Sequence, residues 1–293
     1  MDDKHLLYEQ AKNSDNASLY LRKNTTLEQS KIIEISYDIQ SGNYSELENS
    51  KYFCDVYDYF SKKICNFIDK VSNTNYNILE IGCGEGNLFY RICKNQHNKY
   101  NKSFGLDISI SRLMHSKMIC EKHRISNYSL IACDMKKLPL KDNSIDFIIT
   151  CHAIEPNGGC EEEILKELYR VSNKYLLLIE PQDMFSEEQQ KRMKKNNYIG
   201  NLIDICKKLN YDIIHIEDNQ LFFNNLNRSK FIIIKKNEIT SNNCEFVSPG
   251  THNKLYSHMN HNYDENTNII YPKINDIDIF TSEILCNNFL SFN

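Results

Sequence analysis

The chain of 293 residues has no tryptophan, no visible internal repeat and no apolar run near the roughly 18 residues of a membrane-spanning helix. The first residues, Met1-Asp2-Asp3-Lys4-His5, are charged and lack the apolar core of a signal peptide, so a soluble, cytoplasmic protein with no membrane partner is expected. Neither sign of charge dominates. Lys+Arg 35 against Asp+Glu 39 gives a net charge of -4, which offers polyanions no global attraction and disfavours nucleic acid unless a local basic patch forms. The missing tryptophan accompanies abundant asparagine, lysine, isoleucine and tyrosine, the coding bias of an AT-rich genome, so single lysines carry no functional weight. Cysteine, by contrast, occurs 11 times, but scattered, and several positions (Cys83, Cys93, Cys133, Cys206) fall in predicted buried strands or helices, which reads as reduced thiols.

Glycine is scarce, nine in all, yet three stand at alternate positions in Asn77-Ile78-Leu79-Glu80-Ile81-Gly82-Cys83-Gly84-Glu85-Gly86-Asn87. The apolar run before them reads as a buried parallel strand, and Leu88, Phe89 and Ile92 after them have helical spacing. The glycines therefore occupy a strand-to-helix turn, where a ligand can touch backbone because no Cβ holds it off. The dinucleotide fingerprint G-x-G-x-x-G would need a glycine at position 87, where Asn87 stands.

The observed pattern, Gly82-x-Gly84-x-Gly86 with Glu80 two residues ahead, resembles the first motif of class I S-adenosylmethionine-dependent methyltransferases. Ser103-Phe104-Gly105-Leu106-Asp107-Ile108 reads as the next strand, and an acid at its carboxyl end can accept both hydrogen bonds of a ribose diol. Ile131-Ala132-Cys133-Asp134-Met135 resembles the family's third-strand motif, whose acid receives the adenine amino group, and Leu138-Pro139-Leu140 through Ser144-Ile145-Asp146-Phe147 resembles the approach to its fourth strand. The resemblance covers about residues 30 to 237. It implies an α/β fold, a doubly wound, seven-stranded, mostly parallel Rossmann-like sheet, and S-adenosylmethionine as cofactor with S-adenosylhomocysteine as product and no metal. It further implies that Glu80, Gly82, Cys83, Gly84, Asn87, Asp107, Ile108, Asp134, Met135 and Cys151 hold the cofactor.

Three regions follow. Residues 1–50 are polar with short apolar groups, and Tyr37-Asp38…Tyr44 resembles the lid segment of small-molecule methyltransferases, making Tyr37 and Tyr44 substrate-site candidates; the alternative is a helix that only packs on the sheet edge. Residues 51–237 form the methyltransferase domain: Phe53, Val56, Phe60, Ile64, Phe67 and Val71 recur at helical steps, and strands then alternate with helices, including one long charged helix from Glu187 to Leu209. Residues 244–293 form a small β-rich appendage that resembles the zinc-ribbon-like companion domains of some methyltransferases. Ser248 and Thr251 stand where metal cysteines would be, so a metal-free remnant used for packing, dimerisation or covering the substrate site is expected, although Cys244, His252, His258 and His261 are conceivable ligands.

Methyl transfer from a sulfonium needs an acceptor atom, placement, and often a base. Ligands bind at the carboxyl edge of an open α/β sheet, which directs attention to Thr150-Cys151-His152-Ala153-Ile154-Glu155-Pro156-Asn157 after the fourth strand. That segment lacks the N-P-P-Y signature of enzymes that methylate exocyclic amines of nucleic acids or protein glutamine. His152 is the first candidate base and Glu155 the second. Their alternatives are a residue lining the methionine end of the cofactor and an acid capping the following loop. Asn157 and Glu180 are candidates for binding substrate, and Cys151 reads as a small lining residue rather than a nucleophile. The leading expectation is O- or N-methylation of a small molecule, and a resemblance to surface-sugar biosynthesis enzymes suggests a bacterial sugar or its precursor, with a homodimer left open. The competing readings are an RNA-modifying enzyme, which needs a basic stripe over Lys191, Arg192, Lys194, Lys195, Lys207 and Lys208, and an idle cofactor-binding scaffold.

Overall fold

In the computed structural model, which describes residues 3–43, 49–182, 185–237, 243–282 and 284–285, the strands run in the order the motifs predict. β1 (Tyr76–Ile81), β2 (Tyr100–Asp107), β3 (Tyr128–Ala132), β4 (Ile145–Cys151) and β5 (Ser172–Pro181) are parallel, and β7 (Ser229–Lys235) and β6 (Asp212–Asp218) close the edge antiparallel, in the order 3-2-1-4-5-7-6. The order reverses between β1 and β4, so the glycine turn after β1 opens into the crevice where such sheets bind ligands.

Both faces of the sheet are covered because its strands are apolar on both sides. Ile78 packs under α4 (Lys51–Val71), α5 (Asn87–Asn95) and α6 (Ile110–Lys122), while its neighbours Leu79 and Ile81 join the opposite core beneath α7 (Glu161–Val171) and α9 (Leu202–Lys208). From α4, Val56, Phe60, Ile64 and Ile68 are fully buried, each stabilising by about 1.5–3 kcal/mol.

The long charged helix predicted from Glu187 to Leu209 is two. α8 (Glu187–Asn196) stops at Asn197, whose left-handed conformation (φ 54°) caps it, and the chain then buries Ile199 through a bond from its N–H to the Glu155 carbonyl at 2.8 Å before α9 begins. The Asn197 carbonyl passes so close to Gly158 that a Cβ there would lie 2.2 Å from it, which requires the glycine. Charge patterning continues through this break, which is why sequence periodicity did not register it.

The N-terminal helices α1 (Asp3–Lys12), α2 (Ala17–Asn24) and α3 (Gln29–Ile39) share a small core of Ala11, Ala17, Leu21 and Ile32. Arg22 ties them to the end of α8 through the Asn196 carbonyl at 2.9 Å.

The C-terminal β-rich region continues the main sheet. β11 (Ile277–Ile279) lies parallel to β3 and extends the main sheet, followed outward by β10 (Ile269–Ile274), β9 (His261–Asp264) and β8 (Tyr256–His258), with β12 (Ile284–Leu285) beside β10. Phe246, Tyr271 and Phe280 pack together against Phe104. Ser248, at a position where a metal cysteine would stand, meets the Tyr271 hydroxyl at 2.8 Å instead, and Cys244 packs at the edge of the core, where burial raises its thiol to about 12. Among the described residues no cluster of histidine, cysteine or acidic side chains is gathered for a metal, every cysteine is free, and no helix is long and apolar enough to cross a membrane.

Candidate active site

The glycine turn is fastened to the end of β2. Gly84 N–H donates to Asp107 Oδ2 at 2.9 Å, Cys83 N–H donates to the Leu106 carbonyl at 2.9 Å, and Gly86, left-handed at φ 83°, caps α5. A Cβ on Gly82 would fall 2.4 Å from Ala153 Cβ and one on Gly86 2.4 Å from Ser116 Oγ, so these two glycines are demanded by close packing as well as by positive φ. Asp107 takes its second bond from Ser109 N–H at 2.9 Å, and Ser109 caps α6 while its own hydroxyl bonds Asp38 of α3. Burial raises the Asp107 carboxyl above its ordinary range, against the pull of Arg112 and the two N–H donors.

Two cavities meet at this turn. The larger, about 540 Å³, runs from Glu80, Gly82 and Gly84 past Cys151 to His152, Glu155, Arg192 and Asn227, with Phe53, Tyr57, Tyr198 and Phe223 as aromatic walls. The smaller, about 50 Å³, lies between Asp107, Ile108, Asp134, Met135 and Asn157 on one side and Ile33 and Tyr37 of α3 on the other, with room for a few waters but not for a purine. α3 fills that space: Ser30 donates to Asp134 Oδ2 at 2.5 Å, Gln29 donates to the Pro156 carbonyl at 3.0 Å, and Tyr37 stacks on the Arg112 guanidinium at 4.6 Å. Gly42 N–H, just beyond α3, donates to Glu85 at 2.9 Å.

Glu80 tests the fit of a cofactor. Its Oε2 is buried without a hydrogen-bond partner among the described residues, on the wall of the larger cavity, and desolvation, reinforced by Asp107, pushes its carboxyl well above the ordinary range. A buried acid in that state lacks a cation or donor, and the ammonium of a methionine moiety supplies one. With Asp107 and Asp134 at the ends of β2 and β3, the residues present match an aminoacyl end, a ribose and an adenine in sequence along the sheet edge.

A methyltransferase domain model matches residues 72–241. The chain belongs to the methyltransferase domain family. A search of curated proteins finds no match. Among solved structures, magnesium protoporphyrin IX methyltransferase from Synechocystis PCC 6803, with S-adenosylhomocysteine bound, is 10% identical and superposes at a TM-score of 0.55 over 71% of this chain and 100% of that one. A chain of the Haloferax volcanii complex between the Trm112 methyltransferase activator and a methyltransferase is 11% identical, at a TM-score of 0.56 over 72% of this chain and 100% of that one. The protein is thus an S-adenosylmethionine-dependent methyltransferase of Rossmann-like fold.

The methyltransferase's predicted residues separate by cavity. Glu80, Cys83, Gly84, Asn87, Cys151 and Glu155 line the larger, Asp107, Ile108, Asp134, Met135 and Asn157 the smaller, and Gly82, Tyr37 and His152 both. Asn157 stands on the wall of the smaller cavity, its amide donating to the Ala153 and Ile154 carbonyls at 3.3 and 3.2 Å. Glu180 walls neither cavity. Its Oε1 accepts from the N–H groups of Ala153 and Ile154 at 3.0 and 3.3 Å, so it shapes the loop that carries His152. Tyr44 lies outside the described residues. Burial, then Glu80 and Glu180, drive the Cys151 thiol well above its ordinary range, which suits a lining residue.

Sequence reading passed over Ser30, Arg112, Tyr198, Phe223, Asn224 and Asn227. The last three lie in the connection between β6 and β7, which has no motif, and only the fold brings it over the end of β4. Arg192, read in sequence as one of a row of helix-surface cations, turns inward to Glu155 at 3.0 Å.

Proposed function

We propose that the enzyme methylates an oxygen or nitrogen of a small molecule held between His152, Glu155, Arg192 and Asn227, with an activated sugar or its precursor as the acceptor class. The observation that carries this is the larger cavity, which is about 540 Å³, continuous with the glycine turn, and roofed by Tyr37, Gln40 and Asn43 from the N-terminal segment. A chamber of that size, in the usual range for a small-molecule site, admits a sugar-sized acceptor beside the cofactor's methionine end and shuts out a folded polymer. Against the competing RNA reading, Lys191 pairs with Glu187, Lys207 with Asp204 and Lys208 with Glu162, and Arg192 faces Glu155, which leaves Lys194 and Lys195 of the six stripe residues.

S-adenosylmethionine, when bound, supplies an activated methyl group. Glu80 binds its ammonium, Asp107 its ribose, and Asp134 its adenine once Ser30 yields the carboxylate oxygen. α3 and the residues up to Asn43 act as a lid that excludes water and holds the acceptor in line. His152 takes the proton lost by a hydroxyl or amine, and Glu155 stabilises the resulting charge. Release of S-adenosylhomocysteine from a panel of nucleotide sugars, free sugars and unmodified transfer RNA tests the reading: turnover with a sugar is expected, and turnover with RNA alone overturns it.

A further inference from the structure

We infer that Arg192 and Asn227 are positioning residues that fix the tautomer of His152, so that its unprotonated nitrogen is the one facing the acceptor chamber. The inference rests on the reading of His152 as the group that takes the acceptor's proton. Arg192 Nη1 donates to Asn227 at 3.0 Å, and because a guanidinium has no acceptor, the atom it meets is the amide oxygen. The amide nitrogen is thereby turned on to His152, 3.1 Å from Nδ1. An amide NH2 only donates, so Nδ1 accepts, and the neutral ring carries its hydrogen on Nε2.

Nε2 is sealed from solvent with no hydrogen-bond partner among the described residues. Nδ1 faces Asn227 and Glu155, both walls of the large cavity. With the opposite tautomer the ring would bury its electron pair and show the acceptor an N–H, making it a donor rather than a base. The backbone supports the placement independently. His152 holds a left-handed conformation (φ 55°), of the kind that costs about 1–3 kcal/mol, and is kept there by its N–H to the Ile179 carbonyl at 2.9 Å.

Glu155 completes the arrangement. Its Oε1 is held by Arg192 at 3.0 Å, and Oε2 stands 3.7 Å from Nδ1, too far for a hydrogen bond to the neutral ring. Glu180 reaches the ring electrostatically from the loop beneath. In the proton step Asn227 first releases Nδ1, whose one lone pair it occupies; the acceptor's X–H bond then breaks, the proton goes to Nδ1, and the bonding pair stays on the acceptor atom. With S-adenosylmethionine bound, that pair would form the bond to the methyl carbon as the carbon–sulfur pair leaves with the sulfonium sulfur.

The test is spectroscopic and needs no acceptor. Full-length protein labelled with ¹⁵N-histidine and saturated with S-adenosylhomocysteine is observed by long-range ¹H–¹⁵N correlation, with His152 assigned by the signal lost in His152→Gln. The expected spectrum shows a protonated Nε2 and an unprotonated Nδ1. Asn227→Leu should average the two nitrogens, and Asn227→Asp, which offers an acceptor, should invert them. Arg192→Met, which frees the amide to turn, is a second route to the averaged pattern should a position 227 variant fail to fold. A wild-type proton on Nδ1, or an unchanged tautomer in folded Asn227→Leu or Arg192→Met protein, overturns the inference. If the spectrum is as expected but His152→Gln keeps wild-type turnover, the base assignment falls and the tautomer-setting relay stands.

Discussion

Asp107→Asn separates what this carboxylate does for the fold from what it does for the cofactor. Both oxygens already accept backbone N–H groups, from Gly84 and Ser109, each at 2.9 Å. An amide keeps one acceptor and turns its NH2 on the other donor, leaving that buried N–H unpaired at about 1–3 kcal/mol. Removing the charge also relieves a group that burial penalises, so the net loss of unliganded stability should fall at the low end, about 1 kcal/mol. Cofactor binding suffers more. In the proposed reading two ribose hydroxyls donate to the carboxylate, and bonds to a charged acceptor are worth about 1.5–3 kcal/mol each. Losing one of the two weakens binding by roughly 10- to 150-fold at 1.36 kcal/mol per decade. Calorimetric titration with S-adenosylhomocysteine reads the second term and urea unfolding of the free protein reads the first. Wild-type affinity in a folded Asp107→Asn protein would refute the cofactor geometry derived for the end of β2.

Glu80 makes a prediction about protons. Its carboxyl is raised by burial and by Asp107, so in the free protein stability from this group is present at low pH and is lost as pH rises through the raised pKa. An ammonium beside it reverses the preference, so S-adenosylhomocysteine binding should release protons at a pH just above the ordinary carboxylate range, seen as a buffer-dependent enthalpy that Glu80→Gln removes; buffer-independent binding in the wild type contradicts it. Gly86→Ala should lower stability by about 2–4 kcal/mol, combining a positive φ with a Cβ 2.4 Å from Ser116 Oγ, and an unfolding midpoint within error of wild type would show that α5 and α6 are less tightly joined than drawn. Ser30→Ala removes one of the bonds that hold α3 on Asp134, so stopped-flow association of S-adenosylhomocysteine should accelerate, roughly tenfold if opening limits entry; an unchanged rate would mean that α3 opens elsewhere.

The sequence by itself determined the glycine turn and the acids at the strand ends beside it. Glycines at 82, 84 and 86 after an apolar strand, and acids at 80, 107 and 134, act within one turn or at one strand end, so their geometry is set by local chain direction and spacing. The helix Lys51–Val71 was legible from Phe53, Val56, Phe60, Ile64, Phe67 and Val71 because amphipathic periodicity is also local. The acceptor half was decided by tertiary structure. Arg192 looks in sequence like one cation among several, and becomes a chamber residue only because α8 ends at Asn197 and turns that helix over the loop after β4. Asn227 has no local signature at all: it reaches His152 across 75 positions because β7 returns antiparallel beside β5. The same holds for the C-terminal strands, whose companion-domain pattern did not reveal that β11 would pair with β3 two residues short of Asp134. Contacts at such separation depend on which strands become neighbours, and neighbour choice is made by the packed core rather than by any residue's own propensity.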